Sequence, residues 1–336
     1  MSSTVEQRTR QRWGHLDVHA LAQPAALIFN PRAGHKLGLE TNRTTAEDVQ
    51  KALQGEHIPF EPWNTEYPGH ATELARRAVA ERRELVITAG GDGTVNEVAR
   101  GLANSDAVLA IMPLGSIMNV ARTLWIPRDP LLAARTLTDG KTLAMDLGRV
   151  GERHFLEAAG IGLDAGLFGY FDRLESTGRR IAFVRAVWRF LRQLGTPRLL
   201  IEHANGHLRA RASLVSIANG PYVGAAYVIA PDARIDDGLL EVIIFRGTSV
   251  PRLLFHLALI AGGRSLPPPP EAQTLRVDWV RVRTVRHRPL PVHADGSPIG
   301  ATPVEVRAAE AALRVVVGPP NQTGICAWEV VAPVGG

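Results

Sequence analysis

The chain has 336 residues and a mass of 36.4 kDa, with 45% hydrophobic residues, 21% charged residues and a mean hydropathy of -0.01. These values exclude a disordered chain, a mini-protein and a protein built around membrane spans, and leave a globular protein large enough for two domains. The net charge of +5, carried mostly by arginine beside only Lys36, Lys51 and Lys141, is compatible with anionic partners but selects none.

Met1 to Arg12 is polar and lacks the apolar core of a signal peptide, so residues 1–24 read as an N-terminal extension of a cytoplasmic protein. From 25 to 145 short apolar runs alternate with helical patterns. Ala26–Phe29 is a predicted strand. Thr44–Leu53 is a predicted helix, opened by a Thr44/Glu47 capping box and closed at Gly55. Leu85–Thr88 and Val108–Met112 are further strands, and Asp129 with Pro130 opens another helix. This alternation predicts a parallel sheet covered by helices.

From 146 to 317 period-two alternation and Gly, Asn or Asp turns predict a β-rich domain, with strands over Leu208–Ala218, Leu239–Phe245, Leu275–Val285 and Leu313–Val317. An Arg-studded amphipathic helix over Gly178–Leu194, carrying Trp188 and Phe190, interrupts the strands and suits either an anionic membrane surface or packing on the domain. Pro267–Pro270 reads as an extended connection, and residues 318–336 as a C-terminal tail. The apolar stretch Leu253–Ala261 is far short of the ~20 residues that span a bilayer. With Cys326 alone, neither an intrachain disulfide nor a cysteine-based zinc site can form.

The sharpest motif is Gly90-Gly91-Asp92-Gly93-Thr94-Val95-Asn96-Glu97, between an apolar strand and a helix beginning near Thr94. A plain turn there needs one glycine. Three let the backbone bring its N–H groups close to an anion at the positive end of a helix. The turn Asn30-Pro31-Arg32-Ala33-Gly34-His35-Lys36 follows the first strand and offers small residues and cations, and Pro113-Leu114-Gly115-Ser116 follows a third strand. All three turns would meet at the C-terminal edge of one parallel sheet, where ligands of open α/β sheets bind. Later in the chain, Ala230 to Leu239 contains the adjacent carboxylates Asp236 and Asp237, and His293-Ala294-Asp295-Gly296-Ser297 places a carboxylate at a strand end. Either composition also suits an ordinary solvated turn.

These residues resemble the diacylglycerol kinase catalytic family of lipid kinases, which includes sphingosine and ceramide kinases. Asn30-Pro31-x-Ala33-Gly34, the Gly90–Glu97 block, Pro113-Leu114-Gly115-Ser116 with Ala121-Arg122, Gly160-x-Gly162-x-Asp164, Asn219-Gly220, the Ala230–Val242 block and Asp295-Gly296 occur in family order across about residues 25 to 317. The resemblance implies a three-layer α/β domain like those of NAD kinases and phosphofructokinases, and a C-terminal β-sandwich. It implies an ATP- and magnesium-dependent kinase. The nucleotide would lie on Asn30, Pro31, Arg32, Ala33, Gly34, Thr65, Gly90, Gly91, Asp92, Gly93, Thr94, Val95, Asn96 and Ser116, with Asp92 organising the phosphate loop or its magnesium. A further magnesium would be held by the Asp237 carboxylate and the backbone carbonyls of Arg234 and Leu239.

Two departures stand out against the family pattern. Its Gly-Thr-x-Asn-Asp aligns with Gly115-Ser116-Ile117-Met118-Asn119, which removes an acidic group near the phosphates. Its Asp-Gly-Glu, whose Glu is the proton acceptor in bacterial relatives, reads Asp295-Gly296-Ser297, so Asp295 becomes the candidate for activating the acceptor. The expected substrate is a lipid alcohol, diacylglycerol by default, met at a peripheral membrane surface; a homodimer is compatible. The alternatives are a nucleotide- or lipid-binding regulatory protein that has lost transfer, and a kinase of a soluble acceptor such as NAD. The dispersed basic residues and lack of a recognition module speak against nucleic acid.

Overall fold

A computed structural model of the chain describes residues 12–33, 35–36, 39–40, 42, 44–163, 165, 196–224, 227–246, 250–261 and 271–319. Gly34, Asp164, the expected 178–194 helix, Pro267–Pro270 and Cys326 lie outside the described residues. Contacts divide the chain into two units, Met1–Ala144 with Leu313–Gly336, and Met145–Ala312.

The first unit is built on a parallel sheet. Ala25–Phe29 pairs with Phe60–Asn64 on one side and Leu85–Gly90 on the other, and Val108–Pro113 pairs with Leu85–Gly90 and with Arg314 and Val315. Every residue of Leu85–Gly90 and Val108–Pro113 is buried, so helices must cover both faces of these central strands. The helices are Ala46–Gly55, His70–Ala80, Asp92–Leu102, Asn119–Thr123 and Pro130–Thr138. Each longer helix buries one stripe of small or aliphatic side chains, as Val49, Ala52 and Leu53 show in the first. The helices from His70 and Asp92 approach closely where Gly101 faces Ala75: a Cβ on Gly101 would lie 2.5 Å from the alanine Cβ.

Two local differences from the sequence expectation have simple causes. The first helix is capped one residue later than predicted. Thr45 Oγ1 accepts the Asp48 N–H at 3.2 Å and Asp48 returns an acceptor to the Thr45 N–H at 2.8 Å, while Glu47 points outward beside Lys51. The strand Phe60–Asn64 carries Pro62 and escapes a pattern search. It is tolerated because this strand ends the sheet and pairs on one side only. Asp129 caps its helix as expected, accepting the N–H groups of Leu131 and Leu132, with Pro130 in the first turn.

The second unit is an antiparallel β-sandwich around the long strand Gly206–Ala218. Its first half pairs with Arg198–His203, and after an irregularity at Ala212/Leu214 its second half lies between Ala158–Gly162 and Leu240–Arg246. The stretch expected as one strand over Leu275–Val285 is two. Ala272–Val277 pairs with Leu240–Arg246, then Asp278 interrupts, and Trp279–Thr284 pairs with Arg198–His203 and with Val304–Arg307. Phe155, Ile161, Val215, Ile243, Phe245 and Val282 are among the core residues that the sandwich buries.

A buried polar network fastens the loops of this second unit. Asn219 is fully buried and its Nδ2 donates to the carbonyls of Asp146 and Leu156 at 2.9 and 3.0 Å. The Asp146 carboxylate, also fully buried, accepts the N–H groups of Gly238 at 2.6 Å and Ala311 at 2.7 Å. Asp146 was visible in the sequence only as the point where the texture changes. Asp146→Ala would strip two main-chain donors of a charged acceptor and should lower the unfolding free energy by about 3 kcal/mol. Urea denaturation measures this, and a loss below about 1 kcal/mol would show that the network contributes little.

Candidate active site

A cavity of about 450 Å³ opens at the C-terminal ends of the parallel strands in the first unit. Four of the turns that leave those strands line it: Asn30, Arg32 and Ala33; Thr65 to Pro68; Gly91 to Thr94; and Gly115 to Ile117. The first, third and fourth are the turns expected to meet. The third and fourth meet by a main-chain contact, because a Cβ on Gly115 would stand 2.8 Å from the Gly91 Cα and 2.7 Å from the Met118 sulfur. Only glycine at 115 lets these backbones come together.

Side chains then lock the turns. Asn30 Nδ2 donates to Thr94 Oγ1 at 2.9 Å, while Asn30 Oδ1 accepts the Arg32 N–H at 2.9 Å. The two Asp92 oxygens accept the N–H groups of Met118 and Asn119, each at 2.9 Å, so Asp92 ties the start of its own helix to the start of the Asn119–Thr123 helix. Burial pushes the Asp92 carboxyl above the usual aspartate range, against those two donors and the positive charge of Arg122. Arg128 donates to the Gly115 carbonyl at 3.1 Å and Arg122 to the Ile117 carbonyl at 2.9 Å, placing two guanidinium groups on the fourth turn. Glu97 accepts the Gly69 N–H at 2.9 Å, and its own carbonyl accepts the Thr72 hydroxyl.

No side chain caps the Asp92–Leu102 helix, whose N-cap is Gly91. Its first N–H groups therefore contribute positive potential at the cavity wall, the arrangement that receives a phosphate group. Tyr67, also on the lining, stacks on His70 with ring centroids 4.5 Å apart and planes 7° from parallel, and its hydroxyl donates to Glu73 at 2.7 Å. That hydrogen bond to the Glu73 carboxylate raises the Tyr67 phenol above its ordinary pKa.

Of the residues expected to hold a nucleotide, Asn30, Arg32, Ala33, Thr65, Gly91, Asp92, Gly93, Thr94 and Ser116 line the cavity. Four do not. Val95 and Asn96 turn inward on the helix and are buried, Val95 completely, because the helix begins at Asp92 and its inner stripe faces the sheet. Gly90 ends its strand and makes room for Thr94, whose Cβ would lie 2.6 Å from a Cβ placed there. Pro31 is exposed beside the cavity. Glu66, Tyr67, Pro68 and Ala71 join the lining without having been singled out, while Gly115, Ile117 and Glu97, also on it, belong to motifs already named. The Thr65 segment was hard to find because the strand before it contains proline.

The two sites expected in the second unit take a different form. Asp295 was the candidate for activating an acceptor. Its Oδ2 accepts the Leu156 N–H at 2.8 Å, and Oδ1 accepts those of Glu157 and Ala158 at 2.9 and 3.2 Å. A carboxylate that accepts three main-chain N–H groups anchors a loop. Its neighbour His293 is buried and accepts the Gly296 N–H, completing the hairpin, and Ser297 opens the next strand. The expected magnesium trio of Arg234, Asp237 and Leu239 also fails the fit. Asp237 Oδ1 accepts the Leu239 N–H at 3.0 Å and Oδ2 meets the Arg276 guanidinium. Among the described residues no three His, Cys, Asp or Glu side chains gather as a metal site.

The chain joins an α/β unit, with a cavity at the C-terminal ends of its parallel strands, to a β-sandwich unit. Comparison with known proteins makes this specific. Residues 24–150 match the diacylglycerol kinase catalytic domain, and residues 158–317 match the YegS C-terminal NAD kinase beta sandwich-like domain. A diacylglycerol kinase of Bacillus subtilis is 30% identical over 226 residues, 66% of this chain and 73% of that protein. One from Staphylococcus haemolyticus is 29% identical over 248 residues, 73% of this chain and 74% of that protein. The crystal structure of a diacylglycerol kinase from Bacillus anthracis shares the fold, with a TM-score of 0.68 at 22% identity over 89% of this chain and 98% of that one. The chain belongs to the diacylglycerol kinase family, a family of kinases.

If Asp295 is an anchor, Asp295→Asn should lower the thermal midpoint by several degrees, since an amide cannot accept from three donors on both ends. An unchanged midpoint with lost turnover would instead return Asp295 to the role of proton acceptor.

Proposed function

We propose that the chain is an ATP-dependent kinase that phosphorylates a lipid hydroxyl, with diacylglycerol the first acceptor to test and a sphingoid or another lipid alcohol next. The observation that carries this reading is the contact of Gly91 with Gly115 between the third and fourth turns, which leaves main-chain N–H groups and a helix N-terminus on one cavity wall in a chain of this family. Arg32, on the cavity lining, supplies charge for a polyphosphate, and the exposed Tyr67 ring supplies a flat apolar face for the base. Magnesium carried on the nucleotide would neutralise phosphate charge. A lipid acceptor implies work at a membrane surface, and no helix among the described residues is long and apolar enough to cross one.

Phosphoryl transfer of this kind passes through a loose transition state in which holding the phosphates and neutralising their charge dominate. The residues of the cavity serve that task through the main chain. A general base contributes about 10²–10⁴-fold in such reactions, and with Ser297 in place of the family Glu and Asp295 engaged by amides, this chain is proposed to work without one.

The test is transfer of label from γ-labelled ATP to a detergent-dispersed panel of diacylglycerol, sphingoid base and other lipid alcohols, with NAD as the soluble control. Label in a lipid phosphate is the expected outcome. Tight nucleotide binding with no product on any acceptor would favour a regulatory protein, the reading that Ser297 and Asn119 speak for, and label in NAD would move the assignment to a soluble acceptor. On the lipid that is turned over, Ser297→Glu should raise kcat by about 10-fold or more, with little change in nucleotide affinity.

A further inference from the structure

The acidic turn of the second unit, Ala230 to Val242, holds the carboxylates Asp232, Asp236, Asp237 and Glu241 within a short stretch. The Asp237 and Glu241 side chains are 12% and 7% exposed, too buried to be neutralised by bulk ions alone. Such a cluster needs a cation in contact.

One is present in the chain. On the adjacent strand Arg276 stands directly across from Glu241 in the antiparallel register. Its Nε meets Glu241 Oε1 at 2.8 Å and its Nη2 meets Asp237 Oδ2, so one guanidinium spans both buried carboxylates. The planar fork suits this, since two N–H directions are served at once. Arg234, the other cation of the turn, is engaged by Asp236 at 3.1 and 3.2 Å. The main chain completes the support through Leu239 N–H on Asp237 and Gly238 N–H on Asp146.

We infer that Arg276 is the resident cation of this turn and takes the place that a divalent ion would otherwise fill, so that the second unit folds and holds its acidic turn independently of magnesium. A magnesium ion at Asp237 would need near-octahedral oxygen ligation. The guanidinium occupies one of the oxygens it would use and adds like charge beside it. The inference concerns the turn alone and stands apart from the assignment of the cavity as a nucleotide site.

The experiment uses the full chain without nucleotide or lipid, so that it fails or succeeds independently of kinase activity. Thermal melts in EDTA and in millimolar magnesium chloride should give wild-type protein the same midpoint. Arg276→Met keeps the length and removes the charge; its midpoint should fall in EDTA and recover in part with magnesium, and the recovery should vanish when Asp237→Asn is added. A magnesium-dependent rise in the wild-type midpoint that Asp237→Asn abolishes would overturn the inference. So would an Arg276→Met protein indifferent to magnesium. Should Arg276→Met not fold, calorimetric titration of wild-type protein with magnesium chloride decides: no heat that depends on Asp237 is expected, and Asp237-dependent binding refutes the inference.

Discussion

The contact between two glycine backbones, Gly91 and Gly115, is the constraint on which the cavity depends. Everything around it follows from that closeness. With no side chain between them, the third turn and the fourth share one wall, and Asp92 can reach across to the N–H groups that open the next helix. The same carboxylate sits buried at a helix start, a place where an acid is favoured by the helix dipole and disfavoured by desolvation. Two amide donors and the nearby guanidinium of Arg122 offset that cost. The result is a frame around the cavity made from main chain and therefore tolerant of side-chain variation nearby.

That tolerance accounts for the pattern of departures from the family. Met118 and Asn119 replace an Asn-Asp pair, yet what the frame asks of these two positions is their N–H groups, which any residue except proline can supply. The Met118 side chain is fully buried and its backbone adopts φ +55°, so the residue has become part of the packing under the turn. In the second unit the same economy appears in another form. Asp295, Asn219 and Asp146 all bind main-chain groups, and all three hold loops in place. The Asp295 carboxylate accepts three of these main-chain groups, because buried N–H groups of irregular segments must find partners.

The legibility of the sequence varied with how local the cause was. Three glycines around Asp92 marked a loop of close backbone approach because a plain turn needs only one, and that loop lines the cavity. The Asp129-Pro130 helix start was legible for the same reason: cap and first turn are decided within four residues. The capping box was misplaced by one residue because Thr44 and Thr45 are equal candidates, and only the fit of Asp48 back to Thr45 chooses between them. Pro62 hid a strand, since whether proline is tolerated depends on which side of the strand has a neighbour.

The amino-acid sequence alone determined the class of fold, the presence of three small-residue turns after strands, and membership of a lipid kinase family, because each is written in residue types at short spacing. Tertiary structure decided what each acidic residue does. Asp92, Asp237 and Asp295 are alike as letters, and they differ in which partners the fold brings to their oxygens: two helix amides, an arginine from the next strand, and three loop amides. Partners supplied from distant parts of the chain set the charge, access and mobility of a carboxylate, and no local pattern contains them.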